Sequence, residues 1–344
     1  MRRLVFITQQ VDPAHPALAA TIAKLRALAA RVDELIVLAD GAVPAVLPPN
    51  ARVHRFAARN KLGRGVRFEA ALARELPRKP IGVIAHMCPI YAVLAAPLAR
   101  PLGVPVILWY THWHASPTLR AAARAANAIA SVDTRSFPLD SLKVTPIGHG
   151  IDLEEFPCRR RDSRDGLQLL ALGRYSPAKG LDTVLRGLRR ALDHGLDVRL
   201  SAHGPALSEL ERNHRAELQR LVNELRLGER AELNGPVERA QVPQLFAAND
   251  LLVNNMRAGA PDKVVYEAAA SCVPVLASNP VFDSLLPEEL RFARDDPAEL
   301  AGRLASFAER DSGGRERIGK QLRETVAREH SVDTWADRIL ELAR

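Results

Sequence analysis

The chain has 344 residues, of which 47% are apolar and 26% charged, and this composition excludes a disordered or collagen-like protein. Its length exceeds what one core usually organises and predicts two domains. Residues 1–155 carry 19 basic and 11 acidic side chains, whereas the rest of the chain is balanced at 29 of each. The surplus predicts an anionic partner for the N-terminal half, such as a phosphorylated lipid carrier, a membrane face or an acidic polymer. A nucleic acid is not expected, because aromatic residues are scarce and no nucleic-acid-binding pattern is present.

Cysteine usage and hydropathy indicate the compartment. Cys88, Cys158 and Cys272 are too few and too scattered for a disulfide framework or a zinc site. The first residues run straight into a strand-like segment without a signal-peptide pattern. The longest uncharged apolar stretch, Met87–Ala99, is too short to span a bilayer. We therefore expect a cytoplasmic protein, with the inner membrane face as a candidate contact surface.

In the first half, short apolar runs alternate with segments of helical period. Several of these runs are nearly continuously apolar, as expected for strands buried on both faces of a parallel sheet. The predicted strands are Leu4–Thr8, Glu34–Ala39, Val53–Ala57, Ile81–Met87, Val104–Thr111, Ala128–Asp133 and Lys143–Ile147, and the predicted helices include Leu18–Ala30, Val66–Glu75 and Thr118–Ala126. This alternation predicts a doubly wound α/β sheet.

The polar segment Asp152–Arg164 interrupts the pattern and is interpreted as a linker, after which the alternation starts again. The strands predicted here are Leu167–Leu172, Val198–Ala202, Ala231–Leu233, Leu251–Asn254 and Val273–Ala277. Asp182–His194 has the clearest helical period. Helices are expected from Pro297 onward, and Ser331 is a candidate N-cap for the last of them.

The first chemical signal is a loop that follows the strand ending near Gly173. It carries two cations, Arg174 and Lys179, and it leads into the helix that begins near Asp182. Backbone N–H groups at a helix N-terminus attract anions, and guanidinium and ammonium groups suit phosphate oxygens. The pattern therefore favours a phosphate site, although an ordinary solvated loop is compatible with the same residues.

The second signal is Glu267, in a helix of small residues that precedes the strand Val273–Ala277. A carboxylate in such surroundings costs free energy unless it is paired or binds a ligand. Two ribose hydroxyl groups would satisfy it, and so would a nearby arginine. The residues alone leave both interpretations open.

Four segments between Leu167 and Ser278 resemble, in order and spacing, the donor domain of the family-4 glycosyltransferases, which have the GT-B fold. The family has a GR…KG loop after its first donor-domain strand, a glycine turn after the next, a Gly-x-Val stretch that ends at an Asp, and an E-x7-E segment. The matching residues are Gly173, Arg174, Lys179, Gly180, Gly204, Gly235, Val237, Asp250 and Glu267. The fold that this resemblance implies is α/β, with two Rossmann-like doubly wound parallel-sheet domains facing a central cleft.

The resemblance also implies how the chain is divided. Residues 1–155 would form the acceptor-binding domain and residues 156–328 the donor-binding domain. Residues 329–344 would form a C-terminal helix that packs back on the N-terminal domain. Gly148–Asp152 stands where the family has a glycine turn just before the interdomain linker.

The loop cations take catalytic roles from the family. Arg174 and Lys179 would neutralise the donor diphosphate and stabilise the leaving group as the glycosidic bond breaks. Gly173 and Gly204 would belong to the same binding site. His112 matches a family histidine near the anomeric carbon, although a histidine flanked by aromatic residues is more often simply packed. His86 matches a family strand end and is open to a purely structural interpretation.

Donor recognition departs from the family at one position. Glu267 matches the second Glu of the E-x7-E segment and would hold the ribose hydroxyls. The first Glu, which contacts the donor sugar in the family, would stand at Gly259 and is missing. Asp262 and Lys263 are nearby substitutes, so we expect altered donor recognition. The glycine pair that the family often has after its first strand is replaced by Gln9–His15.

A basic run in the N-terminal half is a candidate surface for an anionic membrane or a phosphate-bearing acceptor. It has no acidic residue before Glu69. Its members are Arg52, Arg55, Arg59, Lys61, Arg64 and Arg67.

The activity that the resemblance implies is hexosyl transfer from a UDP- or GDP-sugar, which is a substrate, with no further cofactor. The acceptor would be a cell-surface glycan or glycolipid, as in bacterial polysaccharide biosynthesis. The resemblance implies a retaining reaction. We expect it to be metal-independent, because no Asp-x-Asp pair stands at a strand end and cations would replace the metal. The alternative, supported by Gly259, is a catalytically altered relative that binds a nucleotide sugar or a partner without transfer. An epimerase of the same fold stays open, whereas a nicotinamide enzyme is disfavoured because no G-x-G-x-x-G follows the first strand.

Overall fold

The computed structural model describes residues 1–13, 15, 18–159 and 165–343. The chain divides into two compact units. The N-terminal unit comprises Met1–Asp152 and Glu329–Arg344, and the C-terminal unit comprises Leu153–Arg328. The end of the predicted linker, residues 160–164, lies outside the described residues.

The N-terminal unit is built on a seven-stranded sheet. Its strands are β1 (Arg3–Val11), β2 (Glu34–Ala42), β3 (Ala51–Arg55), β4 (Val83–His86), β5 (Val106–Trp109), β6 (Ala128–Ser131) and β7 (Val144–Pro146). The order is β3-β2-β1-β4-β5-β6-β7, and every neighbouring pair is parallel. Leu4, Val5, Phe6 and Ile7 are fully buried. Helices on both faces of a parallel sheet account for this continuous apolar run.

The helices of this unit connect or cover the strands. They are α1 (Thr21–Ala29), α2 (Lys61–Glu75), α3 (Pro89–Ala99) and α4 (Pro117–Ala125), with α11 (Val332–Glu341) at the end of the chain. The Ser331 side chain accepts a hydrogen bond from the N–H of Thr334, which confirms it as the N-cap of α11. Trp335 of α11 is fully buried, with its ring edge-on to that of Trp109.

The glycine turn Gly148–Asp152 lies against the returning C-terminal segment. A Cβ on Gly148 would overlap the carbonyl oxygen of Glu329, and one on Gly150 would press on Lys24 and Trp335. Both glycines also have positive φ. They allow a close backbone approach that other residues would prevent.

The C-terminal unit repeats the pattern around a five-stranded parallel sheet. Its strands are β8 (Leu167–Leu172), β9 (Val198–His203), β10 (Ala231–Asn234), β11 (Leu251–Asn254) and β12 (Val275–Ala277), in the order β10-β9-β8-β11-β12. Its helices are α5 (Leu181–Asp193), α6 (Glu209–Glu224), α7 (Val242–Ala247), α8 (Lys263–Ala270), α9 (Pro297–Ala308) and α10 (Ser312–Glu329). The strand order reverses between β1 and β4 and again between β8 and β11, and ligands bind at such reversal points.

The element prediction was wrong in a few places. No helix was predicted in the apolar stretch Met87–Ala99, but most of it forms α3, with Pro89 in the first turn and Pro97 inside the helix. Helix α2 begins at Lys61, five residues before its predicted start, because Asn60 caps it by accepting a hydrogen bond from the N–H of Gly63. In the described part of the chain, no helix combines the length and apolar character needed to cross a bilayer.

Candidate functional site

The predicted phosphate loop connects β8 to α5. The N–H of Gly173 donates to the carbonyl of His203 at 2.9 Å, which ties the end of β8 to the end of β9. A Cβ on Gly173 would collide with the ammonium of Lys179, and a Cβ on Gly204 would overlap the carbonyl oxygen of Gly173. Both glycines therefore create room for the loop and its lysine. Helix α5 is capped by Gly180, which has no side chain to bond the first N–H groups of the helix.

Lys179 lies across from the N-terminus of α8. Its ammonium pairs with the carboxylate of Asp262, and that carboxylate also accepts a hydrogen bond from Asn254 at 2.7 Å. Asp262 is the N-cap residue of α8, and Asn254 ends β11. The structure thus brings a predicted phosphate-binding cation and a predicted donor-recognition residue into direct contact.

Glu267 is buried and lies one helical turn after Lys263. Its Oε1 atom lies 2.9 Å from Nζ of Lys263 and 2.7 Å from a guanidinium nitrogen of Arg239. Burial acts to raise the pKa of Glu267, but the positive charges of Lys263 and Arg239 outweigh it and lower the pKa. The carboxylate is therefore ionised at neutral pH and paired with an arginine, as the structural interpretation of the sequence allowed.

Arg239 was not predicted from the sequence. It is held by Glu155 through two further contacts of 2.7 and 2.8 Å, and its guanidinium lies over the ring of Phe156, 5.1 Å from the centroid. No motif marks Arg239, because its partners Glu155 and Glu267 are 84 and 28 residues away along the chain. Only the fold brings these three side chains together.

Arg174 is the most exposed of the predicted cations, with 61% of its side chain accessible. It lies 3.1 Å from Glu211, which also forms the capping box of α6 with Ser208. Only the arginine of this pair is exposed, because the Glu211 side chain is 6% accessible and also accepts hydrogen bonds from the N–H groups of Leu207 and Ser208. If Arg174 leaves Glu211 for a phosphate, the buried carboxylate keeps these two hydrogen bonds.

The remaining predicted site residue, His112, lies in the N-terminal unit after β5. Its ring is exposed and stacks on Trp113, with 5.2 Å between the centroids. The Nδ1 atom accepts a hydrogen bond from the N–H of His114 at 3.0 Å. In the neutral ring the proton therefore resides on Nε2, which becomes a donor.

His86 has a different environment at the end of β4. It is buried, its Nδ1 lies 3.4 Å from the Thr8 hydroxyl, and its ring packs on Phe6. Burial, helped by the charge of Lys24, lowers the pKa of His86 well below its usual value. The imidazole is a neutral core group here, which supports the structural interpretation.

The cysteine prediction requires a correction. Cys158 and Cys272 form a disulfide within the C-terminal unit, and Cys88 is the free thiol. The bond joins the segment after the domain boundary to the turn that follows α8. A separation of 114 residues hid this pairing in the sequence. Across the described residues, no group of three or more His, Cys, Asp or Glu side chains is arranged to hold a metal ion.

The chain is similar to a known protein family in sequence and to solved proteins in structure. Residues 183–341 match the family model of glycosyl transferase-like proteins. HepE of Anabaena, solved in complex with UDP, is 19% identical with a TM-score of 0.78, and the match covers 99% of each chain. Sucrose-phosphate synthase from Thermosynechococcus elongatus is 18% identical with a TM-score of 0.76, over 99% of this chain and 98% of that one. A glycosyltransferase from Rickettsia africae ESF-5 is 12% identical with a TM-score of 0.76, over 99% and 97%. No curated protein sequence matches significantly.

The chain has the GT-B fold, which confirms the fold prediction. The fold is shown by the pair of parallel sheets, in each of which the strand order changes direction, together with the likeness to these solved structures. The family match covers most of the C-terminal unit and continues through α11. It identifies this segment as a glycosyl transferase-like domain, so the prediction of a glycosyltransferase is also confirmed.

Proposed function

We propose that this glycosyltransferase moves a hexose from a UDP- or GDP-sugar to a hydroxyl group of a cell-surface glycan or lipid-linked acceptor. We further propose that the reaction retains the configuration of the sugar and uses side-chain cations instead of a metal ion. The nucleotide sugar is the substrate, and no further cofactor is required.

The observation that supports this proposal most directly is the position of Asp262 and Lys263. They lie between the phosphate loop and Glu267, the two predicted halves of the donor site. Asp262 holds Lys179 of the phosphate loop, and Lys263 holds Glu267. A donor that places its diphosphate at the loop and its ribose at α8 would pass along this pair. Since Gly259 has no side chain to bind the donor sugar, we assign sugar recognition to Asp262 and Lys263.

The ribose is assigned to Glu267. Both cations that neutralise this carboxylate contact its Oε1 atom, so Oε2 is the oxygen we assign to the ribose hydroxyls. A charged acceptor strengthens such hydrogen bonds, and pairing keeps the carboxylate ionised although it is buried.

Phosphate binding would exchange the partners of the loop cations. The ammonium of Lys179 and the guanidinium of Arg174 would move from Asp262 and Glu211 to the phosphate oxygens. Negative charge grows on these oxygens as the bond to the sugar breaks, so the cations stabilise the transition state more than the bound donor. His112 remains a predicted catalytic residue from the N-terminal unit.

A panel of UDP-, GDP- and ADP-sugars tests the proposal. We expect one nucleotide class to raise the melting temperature, because a ligand that binds the folded state stabilises it. The wild type should release nucleoside diphosphate from that sugar, and the Arg174→Ala/Lys179→Ala double variant should not. The matched control is Arg186→Ala/Arg190→Ala, which removes two exposed cations from the outer face of α5.

The outcomes separate the alternatives. If no nucleotide sugar binds, the proposed activity is wrong. If a donor binds tightly but the wild type releases no nucleotide with any acceptor, the non-transferring relative is the better description. If the control variant loses release as completely as the double variant, the loop cations have no special role.

We also propose that the protein touches an anionic membrane face through α2. Leu62 and Val66 are 80% and 59% exposed and lie one turn apart on the same side of this helix. Arg59 and Arg67 are exposed beside them. Apolar side chains flanked by cations are typical of helices that lie in the headgroup region.

Vesicle flotation tests the membrane contact. Vesicles with anionic lipid should bind the wild type, and neutral vesicles should bind it less. Leu62→Glu/Val66→Glu and Arg59→Glu/Arg67→Glu should each reduce binding at low salt. Leu142→Glu, at a fully exposed leucine elsewhere in the N-terminal unit, is the control. Equal binding by all variants would contradict this contact.

A further inference from the structure

The N-terminal unit contains a cavity at the carboxyl edge of its sheet that the donor site does not use. Its volume is about 560 Å³, within the range of small-molecule sites. Gln9 and Gln10 at the end of β1, Asp40 of β2 and Cys88 after β4 line one side. The strand order of the sheet reverses between β1 and β4, so the cavity lies where open α/β sheets bind ligands.

Helix α2 brings an unbalanced positive charge to this cavity. Lys61 and Arg64 line it from the first turn of the helix, where no acidic residue is present. Cations at a helix N-terminus are unfavourable because the helix dipole is positive there. Asp40 compensates Arg64 at 2.7 Å, but Lys61 makes no ion pair with any described residue. A bound anion would compensate both Lys61 and the dipole.

Tyr91 supplies an independent sign of a ligand. Its side chain lines the cavity and is only 6% exposed, yet its hydroxyl has no hydrogen-bond partner among the described residues. A phenol oxygen at the cavity that bonds no described protein atom is available to a ligand. Burial raises the pKa of Tyr91 to about 12, so the phenol keeps its proton at neutral pH and can donate it. Its ring is fixed by the rings of Phe56 and Phe68.

Amide groups complete a polar lining. Gln9 donates to the Cys88 sulfur at a long 3.5 Å, a weak bond that a ligand oxygen can replace. The Gln10 side chain lies over Gly41, where a Cβ would overlap it. Amides that both donate and accept suit the hydroxyl groups of a sugar.

We propose that this cavity binds a hydroxylated acceptor that carries an oxyanion, either a carboxylate or a phosphate ester. Lys61, at the positive end of the α2 dipole, binds the anion, Tyr91 donates to an oxygen, and Gln9 and Gln10 contact hydroxyl groups. Arg64, oriented by Asp40, adds a second cation at the same end. That the ligand is the acceptor of the transfer rests on the proposed function, whereas the binding of an anion in the cavity does not.

Calorimetric titration of the full chain with three probes tests the inference. D-glucuronate carries a carboxylate, glucose 6-phosphate carries a phosphate ester, and glucose carries neither. We expect at least one anionic probe to bind at least tenfold more tightly than glucose, and the better probe identifies the anion. Added salt should weaken that binding.

Variants locate the binding in the cavity. Lys61→Ala should weaken the better anionic probe at least tenfold, and Tyr91→Phe should weaken it about threefold to tenfold, by loss of one hydrogen bond. Arg74→Ala, in the last turn of the same helix, should have no effect. Lys61 is exposed, so its replacement does not threaten folding, and melting temperatures check Tyr91→Phe.

Equal binding of glucose and both anions, or unchanged affinity in Lys61→Ala, would overturn the inference. Release of nucleotide from the donor is measured separately, without these probes. A protein that releases nucleotide normally but binds no anionic probe refutes the cavity alone. A protein that binds the anion but no nucleotide sugar refutes the proposed function alone.

Discussion

The charged side chains at the carboxyl edges of the two sheets differ in whether they have ion-pair partners. In the C-terminal unit, the predicted donor residues are already paired with one another or with neighbours, as in Lys179 with Asp262 and Glu267 with Lys263. In the N-terminal unit, Lys61 faces a cavity without an acidic partner. Side chains that are already paired must exchange partners to bind a ligand. The unpaired ammonium of Lys61 would instead gain a partner when an anion binds. The even balance of charge after residue 155 and the basic surplus before it express the same contrast.

The largest expected effect concerns the covalent link, which only the C-terminal unit has among the described residues. Reduction, or Cys158→Ser, should destabilise this unit by about 4–5 kcal/mol, because the bond closes a loop of more than one hundred residues. Denaturation of the C-terminal unit with and without reductant measures the loss, and Cys88→Ser is the control. Three reactive thiols in the oxidised, unfolded protein would show that the bond does not form.

Acid should weaken the N-terminal unit before the C-terminal one. Burial lowers the pKa of His330 from 6.5 to about 4, so its contribution to stability is full above about pH 6.5 and is lost as the pH falls toward 4. The difference corresponds to about 3 kcal/mol. Urea titrations at pH 7.5, 5.5 and 4.5 should show a smaller loss for His330→Gln than for the wild type. The buried His86 has a lowered pKa as well, so some dependence should remain. Parallel curves would contradict the assignment to His330.

A substitution at Glu267 separates a role of the paired donor residues in binding from a role in folding alone. Glu267→Gln should weaken nucleotide-sugar binding about 10- to 100-fold, or about 1.4–2.8 kcal/mol, because a neutral amide binds the ribose hydroxyls less well. Glu155→Gln removes the other carboxylate from Arg239 but not the proposed ribose ligand, and it should change affinity less than threefold. Titration with the donor found in the panel measures both. Equal losses of affinity would make Glu267 a structural residue.

The smallest expected effect concerns the ion pairs between α11 and Arg31 within the N-terminal unit. Arg31 contacts Asp333 at 3.0 Å and Asp337 at 2.6 Å, and the hydrogen bond to Asp337 raises the pKa of Arg31. A double-mutant cycle of Arg31→Ala and Asp337→Ala should give a coupling of about 0.5–1 kcal/mol that declines with salt, because both acidic side chains are largely exposed. A coupling near zero would leave the attachment of α11 to apolar packing around Trp335.

The local pattern of apolar residues was sufficient to predict many of the strands and helices. Strand β8 spans the predicted residues because its apolar run ends at a glycine, and α5 differs by one residue at each end because its apolar stripe is strong. Helix α3 was missed because its apolar residues surround the helix and two prolines interrupt the sequence. The positions of Arg174, Lys179 and Glu267 came from resemblance. Their partners Glu211 and Arg239 depend on contacts distant in sequence, which periodicity cannot reveal.

The chain enters the C-terminal unit at Leu153 and comes back to the N-terminal unit at Glu329, so one unit is inserted within the other. The helix that carries Trp335 is synthesised last, after every residue of the inserted unit. Until then Trp109 and Lys24 lack the aromatic ring that covers them in the finished protein. The core of the N-terminal unit can therefore be completed only after the whole chain has been made, although most of that unit is synthesised first.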